Sequence, residues 1–252
     1  MEIFNAKQYV ELFHLLFLEQ LGKKLDKKLY ALKGGCNLRF FFHSIRYSED
    51  IDLDTRIIAK QTLQNKVDTI LSSPQFHQIL RSRKIEIHSI SSPKQTETTQ
   101  RWKISLKTPF SQFPLPTKIE FSKRKFAEDV QFTVVDPILL QQYHLPPMML
   151  NHYSAEEACA QKIAALIFRS QTQARDIFDL YLLMGSGIKP VITDKKIISH
   201  LDEAKNNVLS VSFEDFYSQV LSYLSAEYQK QYDDKDVWGN MVKTVLNALE
   251  SI

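Results

Sequence analysis

The chain has 252 residues, of which 44% are hydrophobic and 24% are charged, and it carries a formal net charge of +3. This composition excludes a disordered chain, a collagen-like chain and a coiled-coil rod, and it permits a nucleic-acid partner without requiring one. The two cysteines, Cys36 and Cys159, form no CxxC pair, which argues against a zinc knuckle and favours a reducing compartment. No run approaches the roughly 18 apolar residues of a membrane span, so we expect a cytoplasmic protein without a membrane partner.

The first half of the sequence predicts alternating helices and strands. Asn5 is a suitable N-cap for a helix over residues 6–29, whose apolar residues recur at spacings of three and four. The following elements are predicted to be short: a strand at 30–32, a helix at 37–42 after Gly34 and Gly35, a strand at 50–53 and a helix at 57–71. Three β-rich runs then occupy 85–90, 102–106 and 118–121, with a polar hairpin loop expected at 91–100.

The second half of the sequence is predicted to be helical. Ser154 and Glu157 form a capping-box pattern at the start of one helix. Further helices are expected at 173–184, 195–207, 212–224 and 240–249. The sequence therefore predicts an α+β domain over residues 1–140 and an all-helical domain over 141–252.

Two aspartates in the predicted strand at 50–53 are the first candidates for chemistry. Alternate side chains of a strand point to one face, so Asp50 and Asp52 would lie side by side and repel unless a cation lies between them. Carboxylate oxygens suit Mg²⁺, which commonly also binds substrate phosphates. The Gly34-Gly35 turn before a short helix would let backbone N–H groups approach an anion. Each pattern alone also fits a tight turn or a charged strand surface, but the combination indicates phosphoryl or nucleotidyl transfer.

A third carboxylate is required if two metal ions are to be held. Glu120 lies between Ile119 and Phe121 in a predicted strand and would face Asp50 and Asp52 across the sheet. Glu86 has the same local pattern and competes for this role. A half-exposed strand with one charged face explains either residue equally well.

The helical half contains two charged clusters. Lys162 and Arg169 share one face of their predicted helix. Arg175 and Asp179 are four residues apart, a spacing that also fits an ordinary surface ion pair.

These segments together resemble the AbiEii/AbiGii-type toxin nucleotidyltransferases. The first match runs from Leu32-Lys33-Gly34-Gly35 through Leu38-Arg39 to Arg46-Tyr47-Ser48-Glu49-Asp50-Ile51-Asp52-Leu53. The second covers Gln161-Lys162-Ile163-Ala164-Ala165-Leu166, Arg169 and Ala174-Arg175-Asp176-Ile177-Phe178-Asp179-Leu180. The chain departs from the family pattern at Gln161, where glutamate is usual, and at Cys36, where threonine or serine is common.

The resemblance implies a polymerase-β-like nucleotidyltransferase domain with a mixed sheet, joined to a helical domain that completes the NTP cleft. By this resemblance Asp50 and Asp52 hold catalytic Mg²⁺, Lys162 reaches the triphosphate and Asp176 completes the far wall of the cleft. Glu120, predicted from its strand pattern, would be the third metal carboxylate. The residues assigned to nucleotide binding are Lys33, Gly34, Gly35, Ser48, Arg39, Arg169 and Arg175. It further implies a toxin–antitoxin or abortive-infection role, an antitoxin partner, and a tRNA 3′ end or another RNA as acceptor.

Two other interpretations fit parts of the sequence. Asp50-Ile51-Asp52 is compatible with a phosphatase that forms an aspartyl intermediate, although the preceding Tyr47-Ser48-Glu49 is unlike the apolar strand such a loop follows. A non-catalytic RNA- or protein-binding scaffold would use basic clusters at 23–28, 81–84 and 123–125. Solvated surface charge explains each cluster taken singly.

Overall fold

A computed structural model describes residues 4–123 and 130–252, and the chain divides into two compact units. One unit comprises Met1–Phe41 and Tyr47–Tyr153, and the other comprises Phe42–Arg46 and Ser154–Ile252. The fold class is the predicted one, a mixed α/β architecture followed by helices. Residues 124 and 125 of the third basic cluster lie outside the described residues.

The first unit is built around one mixed sheet, in which the described residues form seven strands in the order β3-β4-β5-β2-β1-β7-β6. The strands are β1 (Tyr30–Lys33), β2 (Asp50–Thr55), β3 (Glu86–Gln95), β4 (Thr99–Lys107), β5 (Leu115–Lys123), β6 (Val130–Val134) and β7 (Met149–Tyr153). The helices are α1 (Ala6–Lys24), α2 (Gly34–Phe41), α3 (Lys60–Ser72), α4 (Pro74–Ser82) and α5 (Pro137–Gln142). β2 runs antiparallel to β1 and parallel to β5, so it lies in the middle of the sheet.

Helix α1 starts where the sequence predicts but ends earlier. Asn5 caps it in a full capping box: its side chain accepts from the Gln8 N–H, and the Gln8 side chain accepts from the Asn5 N–H. The helix stops at Lys24 because Leu25 is extended, with φ −129° and ψ 136°. Asp26 then caps a separate 3-10 helix, Lys27–Leu29, so the predicted end at residue 29 was wrong.

Other element boundaries also differ from the predicted ones. Helix α2 begins at Gly34 rather than after the glycines, and α3 begins at Lys60 rather than at residue 57. Helix α4 was not predicted: a proline after a helix is typical of a helix end, but Pro74 occupies the first turn of a new helix behind the Ser73 cap. β3 and β4 extend through most of the predicted loop at 91–100, and only residues 96–98 lie between them. Three further elements, β6, α5 and β7, were not predicted.

The two faces of the sheet differ sharply in polarity at β4 and β5. Trp102 and Ile104 of β4 and Ile119 and Phe121 of β5 are buried in the core, whereas the alternating residues are polar. The indole Nε1 of Trp102 donates to Asp68 of α3 at 2.7 Å, so its polar atom is satisfied. The helical side of the sheet therefore forms the core, and the other side is left to carry polar side chains.

A buried carboxylate links α1 to two other elements of the first unit. Glu11 is 1% exposed, accepts from Nε of Arg39 in α2 at 2.7 Å, and accepts from the hydroxyl of Tyr143 at 2.7 Å. The Arg39 guanidinium also lies 4.6 Å from the centre of the Tyr47 ring. These contacts explain why a charged residue, Glu11, is tolerated on the buried face of α1.

The second unit is helical. Its helices are α6 (Ala155–Phe168), α7 (Ala174–Gly185), α8 (Lys195–Ile198), α9 (Leu201–Leu209), α10 (Phe213–Gln219), α11 (Ala226–Tyr232) and α12 (Lys235–Glu250), with a 3-10 turn at Leu221–Tyr223. Its core includes Phe178, Phe216 and Trp238, and the last two rings stack with their centres 4.7 Å apart.

The predicted helices of this half are present, but several have different bounds. Ser154 caps α6 by accepting from the Glu157 N–H at 3.1 Å, as its sequence pattern predicts. The predicted helix at 195–207 is divided into α8 and α9, and that at 212–224 ends at Gln219 before the 3-10 turn. Helix α11 was not predicted, and α12 begins five residues earlier than expected, where Asp234 provides the N-cap. Over the described part of the chain, no helix combines the length and apolarity needed to cross a bilayer.

Two glutamates of α1 provide a matched test of the buried ion pair. Glu11→Ala leaves the Arg39 guanidinium without its buried partner, and we expect it to reduce the free energy of unfolding by about 3–5 kcal/mol. Glu19→Ala removes an exposed pair with Lys23 one helical turn away, and should cost less than about 0.5 kcal/mol. Urea denaturation of both variants measures the difference, and equal losses would contradict the structural role given to Glu11.

Candidate active site

Asp50 and Asp52 lie on one face of β2, in the middle of the sheet. The parallel pairing of β2 with β5 sets Asp52 opposite Glu120 and Asp50 opposite Lys118. Residues opposite each other in a ladder point to the same face, so Glu120 is adjacent to the aspartates, where its sequence pattern placed it. Glu86 lies on β3, opposite Lys107 and separated from β2 by β4 and β5, which makes it the poorer candidate for a third carboxylate.

Two basic residues of the neighbouring strands neutralise these carboxylates. Nζ of Lys118 lies 3.1 Å from Oδ2 of Asp50 and 3.9 Å from Oε2 of Glu120, and Nε of Arg101 lies 2.6 Å from the same Glu120 oxygen. Burial and the negative charge of Asp52 nevertheless raise the pKa of Asp50, against the lowering effect of Lys118. Lys118 and Arg101 were not predicted as site residues, although the alternation of Lys118 with Glu120 along β5 was a usable signal.

The third aspartate of β2 has a structural partner. Asp54 is buried, forms an ion pair with Lys33 of β1 and accepts from the hydroxyl of Tyr153 at 2.9 Å. The ammonium of Lys33, a residue predicted to bind nucleotide, is thus paired with the carboxylate of Asp54. This pair stabilises the C-terminal end of the acidic strand.

The glycine at the start of α2 approaches the acidic strand closely. Gly34 has φ +67°, and a Cβ added there would lie 3.3 Å from Oδ2 of Asp52. A side chain at this position would therefore be strained and would crowd the carboxylate. Gly35 follows in the first turn of α2. The turn thus brings the N-terminal end of α2 against Asp52.

A hydrogen-bonded group beneath β2 fixes the start of the acidic strand. The carbonyl of Asp50 accepts from the Ser48 hydroxyl at 3.0 Å and from the Cys36 thiol at 3.2 Å. Buried His14 lies 2.7 Å from the Thr117 hydroxyl, which donates to the carbonyl of Glu49. Burial lowers the pKa of His14 to about 3 and raises that of the Cys36 thiol well above its usual value. Ser48, assigned to the phosphate side, therefore also contacts the backbone of a proposed metal ligand.

The carboxylate pair suits a hard divalent cation. Asp50 and Asp52 offer oxygen ligands on a half-buried surface, and Mg²⁺ is typically held by one or two carboxylates together with substrate phosphates. Within residues 4–123 and 130–252, no three His, Cys, Asp or Glu side chains are arranged to hold a metal by themselves. The donor set fits an ion whose coordination the substrate completes, as opposed to a closed structural site.

The helical unit contains a compact charged network between α6 and α7. Nζ of Lys162 lies 2.8 Å from Oδ1 of Asp176 and 2.6 Å from Oδ2 of Asp179. Arg169, just after α6, lies 3.0 Å from Oδ2 of Asp176. Lys162 is thereby held by two carboxylates on successive turns of α7. Arg175, also assigned to nucleotide binding, is half-buried on the same helix.

Asp179 and Arg46 complete this network and were not identified as site residues from the sequence. The Arg46 guanidinium donates from Nε and Nη2 to the two Asp179 oxygens at 3.0 and 2.9 Å. Burial alone would raise the pKa of Asp179, but Arg46 and Lys162 outweigh it and lower the pKa to about 2. Asp179, considered as a surface partner of Arg175, is in fact fully buried; its spacing of three from Asp176 was the available signal.

Comparison with known structures identifies the class of fold. A crystal structure of an H. pylori protein assigned as a nucleotidyltransferase matches with a TM-score of 0.62 and 17% identity, over 99% of this chain and 98% of that one. The structure of JHP933 from Helicobacter pylori matches with a TM-score of 0.59 and 17% identity, over 99% and 96% of the two chains. At this identity the likeness establishes a nucleotidyltransferase fold. No protein of curated function matches the sequence significantly.

The family follows from the sequence itself. Residues 16–251 match the model of the AbiEii nucleotidyl transferase toxin, type IV toxin–antitoxin system. The chain therefore belongs to the AbiEii family of nucleotidyltransferase toxins, which confirms the predicted family and enzyme class.

The buried histidine beneath β2 predicts a pH dependence of stability. The pKa of His14 is lowered from 6.5 to about 3, so between these pH values the unfolded chain binds a proton that the folded chain does not. Stability should therefore fall as the pH is lowered from about 6.5, by about 1.4 kcal/mol per pH unit for this group. His14→Gln, which retains a polar partner for Thr117, should show a shallower decline between pH 6 and pH 4.

Urea unfolding of the wild-type chain and His14→Gln at several pH values measures the two slopes. Identical slopes would show that another group accounts for the acid sensitivity.

Proposed function

We propose that this protein transfers a nucleoside monophosphate from an NTP to an RNA acceptor, the 3′ end of a tRNA, in a Mg²⁺-dependent reaction. The observation that carries the proposal is the position of Asp52, which shares a face of β2 with Asp50 and lies against the glycine turn at Gly34. Nucleotidyl transfer requires carboxylates that hold a cation and, beside them, groups that bind phosphate, such as the backbone N–H groups at the start of a helix.

Within the first unit, Asp50 and Asp52 would hold the metal, with Glu120 as a third carboxylate. Bound Mg²⁺ supplies positive charge to the phosphate oxygens. Gly34, Gly35 and Ser48 would line the phosphate side. The acceptor hydroxyl attacks the α-phosphorus, a new P–O bond forms, pyrophosphate leaves, and the hydroxyl proton passes to Asp52 or Glu120.

Within the helical unit, Lys162 would neutralise charge on the triphosphate. Its side chain is 12% exposed and its ammonium is fixed by Asp176 and Asp179, so little reorganisation would be needed when an anion binds. Arg46 and Arg169 add positive charge to the same network. Three cations accompany two carboxylates there, a balance that favours an anionic ligand. Arg39 and Arg175 remain predicted nucleotide contacts, with Arg39 in addition bound to Glu11.

Family membership supports the biological part of the proposal. As a member of the AbiEii toxin family, the protein would act in the cytoplasm and be controlled by an antitoxin, with abortive infection as one setting for this control. Modification of a tRNA end would arrest translation, which accounts for toxicity.

The metal assignment is tested by Asp52→Ala with labelled NTP, Mg²⁺ and total RNA. We expect labelling of RNA by the wild-type chain and a loss of at least about 100-fold in the variant, because charge stabilisation of the reacting phosphates is removed. Glu97→Ala, which removes an exposed carboxylate of the same unit, is the matched control and should label normally.

Thermal unfolding separates this effect from misfolding. Removing Asp52 relieves its repulsion with Glu120, so the variant should melt no lower than the wild-type chain. Normal labelling by a folded Asp52→Ala would refute the metal assignment, and RNA binding without NTP consumption by the wild-type chain would favour the scaffold interpretation.

The role of Lys162 is tested by Lys162→Met. We expect kcat/KM for the NTP to fall by roughly 10²–10³, the usual effect of removing one preorganised charge contact to a transition state. Lys205→Met, which removes a half-buried lysine paired with exposed Asp202, is the control in the same unit and should change kcat/KM little. Steady-state kinetics at varied NTP concentration measure kcat/KM for both variants. Equal values of kcat/KM in the two variants would contradict the role given to Lys162.

A further inference from the structure

The polar face of the sheet carries two rows of charged and polar side chains that extend from the acidic strand to the edge. One row crosses β2, β5, β4 and β3 at Asp50, Lys118, Lys103 and Ser91. The next row crosses the same strands at Asp52, Glu120, Arg101 and Lys94. Directly opposite residues of neighbouring strands point to one side, so these eight side chains form one surface, here called the open sheet face.

The open sheet face becomes more exposed and more basic away from β2. Lys118 and Arg101 are partly buried and pair with the carboxylates of Asp50 and Glu120. Lys103 and Lys94 are exposed, and among the residues that the structure describes neither has an ion-pair partner. Negative charge is thus concentrated at the proposed reaction centre on β2, and the exposed lysines without an ion-pair partner lie towards the edge of the sheet, on β4 and β3.

The open sheet face is wide enough to bind a short stretch of single-stranded nucleic acid. Four strands at a spacing of about 4.8 Å give a span of roughly 14 Å from β2 to β3. A single-stranded RNA lying across the strands would meet Lys103 and Lys94 with its phosphates while its terminal hydroxyl approached Asp52. Ser91 adds a hydroxyl at the outer end.

The edge strand itself is unsuited to pairing with another β-strand. β3 contains Pro93, and its register with β4 shifts between Ser91 and Lys94. A proline and an irregular register protect a sheet edge against addition of a further strand. A partner would therefore use the face of β3 and β4, which favours a polyanion over an extended peptide added at the edge.

We propose that the open sheet face binds the single-stranded 3′ end of the acceptor RNA and guides it to the carboxylates of β2, with Lys103 and Lys94 as phosphate contacts. The inference rests on the proposed function, since it assigns the acceptor of the same site. It is distinct from the basic clusters at 23–28, 81–84 and 123–125.

The test combines kinetics and binding for the double variant Lys94→Ala/Lys103→Ala. In the labelling reaction, KM for RNA should rise about tenfold while KM for the NTP stays unchanged. Fluorescence anisotropy with a single-stranded RNA of about a dozen nucleotides measures the association constant at several salt concentrations. The fall of its logarithm with the logarithm of salt concentration should become less steep by about 1.4, because each phosphate contact to a single strand contributes about 0.7.

Two further variants make the result specific. Lys66→Ala/Lys243→Ala removes two exposed lysines that lie outside the open sheet face and outside the three basic clusters, and it should alter neither KM for RNA nor the salt slope. Ser91→Lys adds a cation to the open sheet face and should increase the salt slope by about 0.7, a gain that damage to the fold cannot produce.

The outcomes separate this inference from the proposed function. Unchanged KM for RNA and unchanged salt slopes in a chain that still labels RNA would overturn the role of the open sheet face and leave the proposed function intact. Label that appears on protein and resists ribonuclease, or no transfer by the wild-type chain, would overturn both.

Discussion

The mutual repulsion of carboxylates on one face of a central strand is the constraint on which the site depends. Asp50 and Asp52 share a face of β2, and Glu120 lies opposite Asp52. Like charges in such positions destabilise a sheet, and aspartate is a poor strand former. The fold accommodates them because cations project from the strands on either side: Lys33 from β1, Lys118 from β5 and Arg101 from β4. The carboxylates are thereby partly neutralised without leaving the surface that a substrate can reach.

In the helical unit, by contrast, cationic side chains are held in a buried environment. Lys162 and Arg46 converge on Asp179, which is fully buried, and Asp176 holds Lys162 from the other side. Desolvation of these charges is costly unless each is paired and hydrogen-bonded, and the bidentate Arg46–Asp179 contact meets that requirement. Both units therefore fix their charged side chains before any ligand is present, which is the condition for electrostatic stabilisation of a transition state.

Local signals in the sequence were sufficient for the fold class, the family and the position of Glu120, because alternation, capping residues and the glycine turn are local. They were insufficient where the outcome depends on distant pairing. Strands β6 and β7 are held by the sheet, and Lys118, Arg101 and Arg46 acquire significance only through carboxylates 19 to 133 residues away in sequence: those of Asp50, Glu120 and Asp179. Pro74 illustrates a different error: proline ends helices, but it also starts them, and only the Ser73 cap distinguishes the two cases.

The membership of residues 42–46 in the helical unit means that this unit is discontinuous in the gene. A fragment beginning at Ser154 would contain Asp179 but not Arg46, so it would bury a carboxylate without its bidentate counter-ion. Dissecting the protein into independently expressed halves at that point would separate charges that fold together. A circular permutation changes the order of the segments but keeps all of them in one polypeptide. It is therefore the better way to test how chain connectivity affects the folding of the two units.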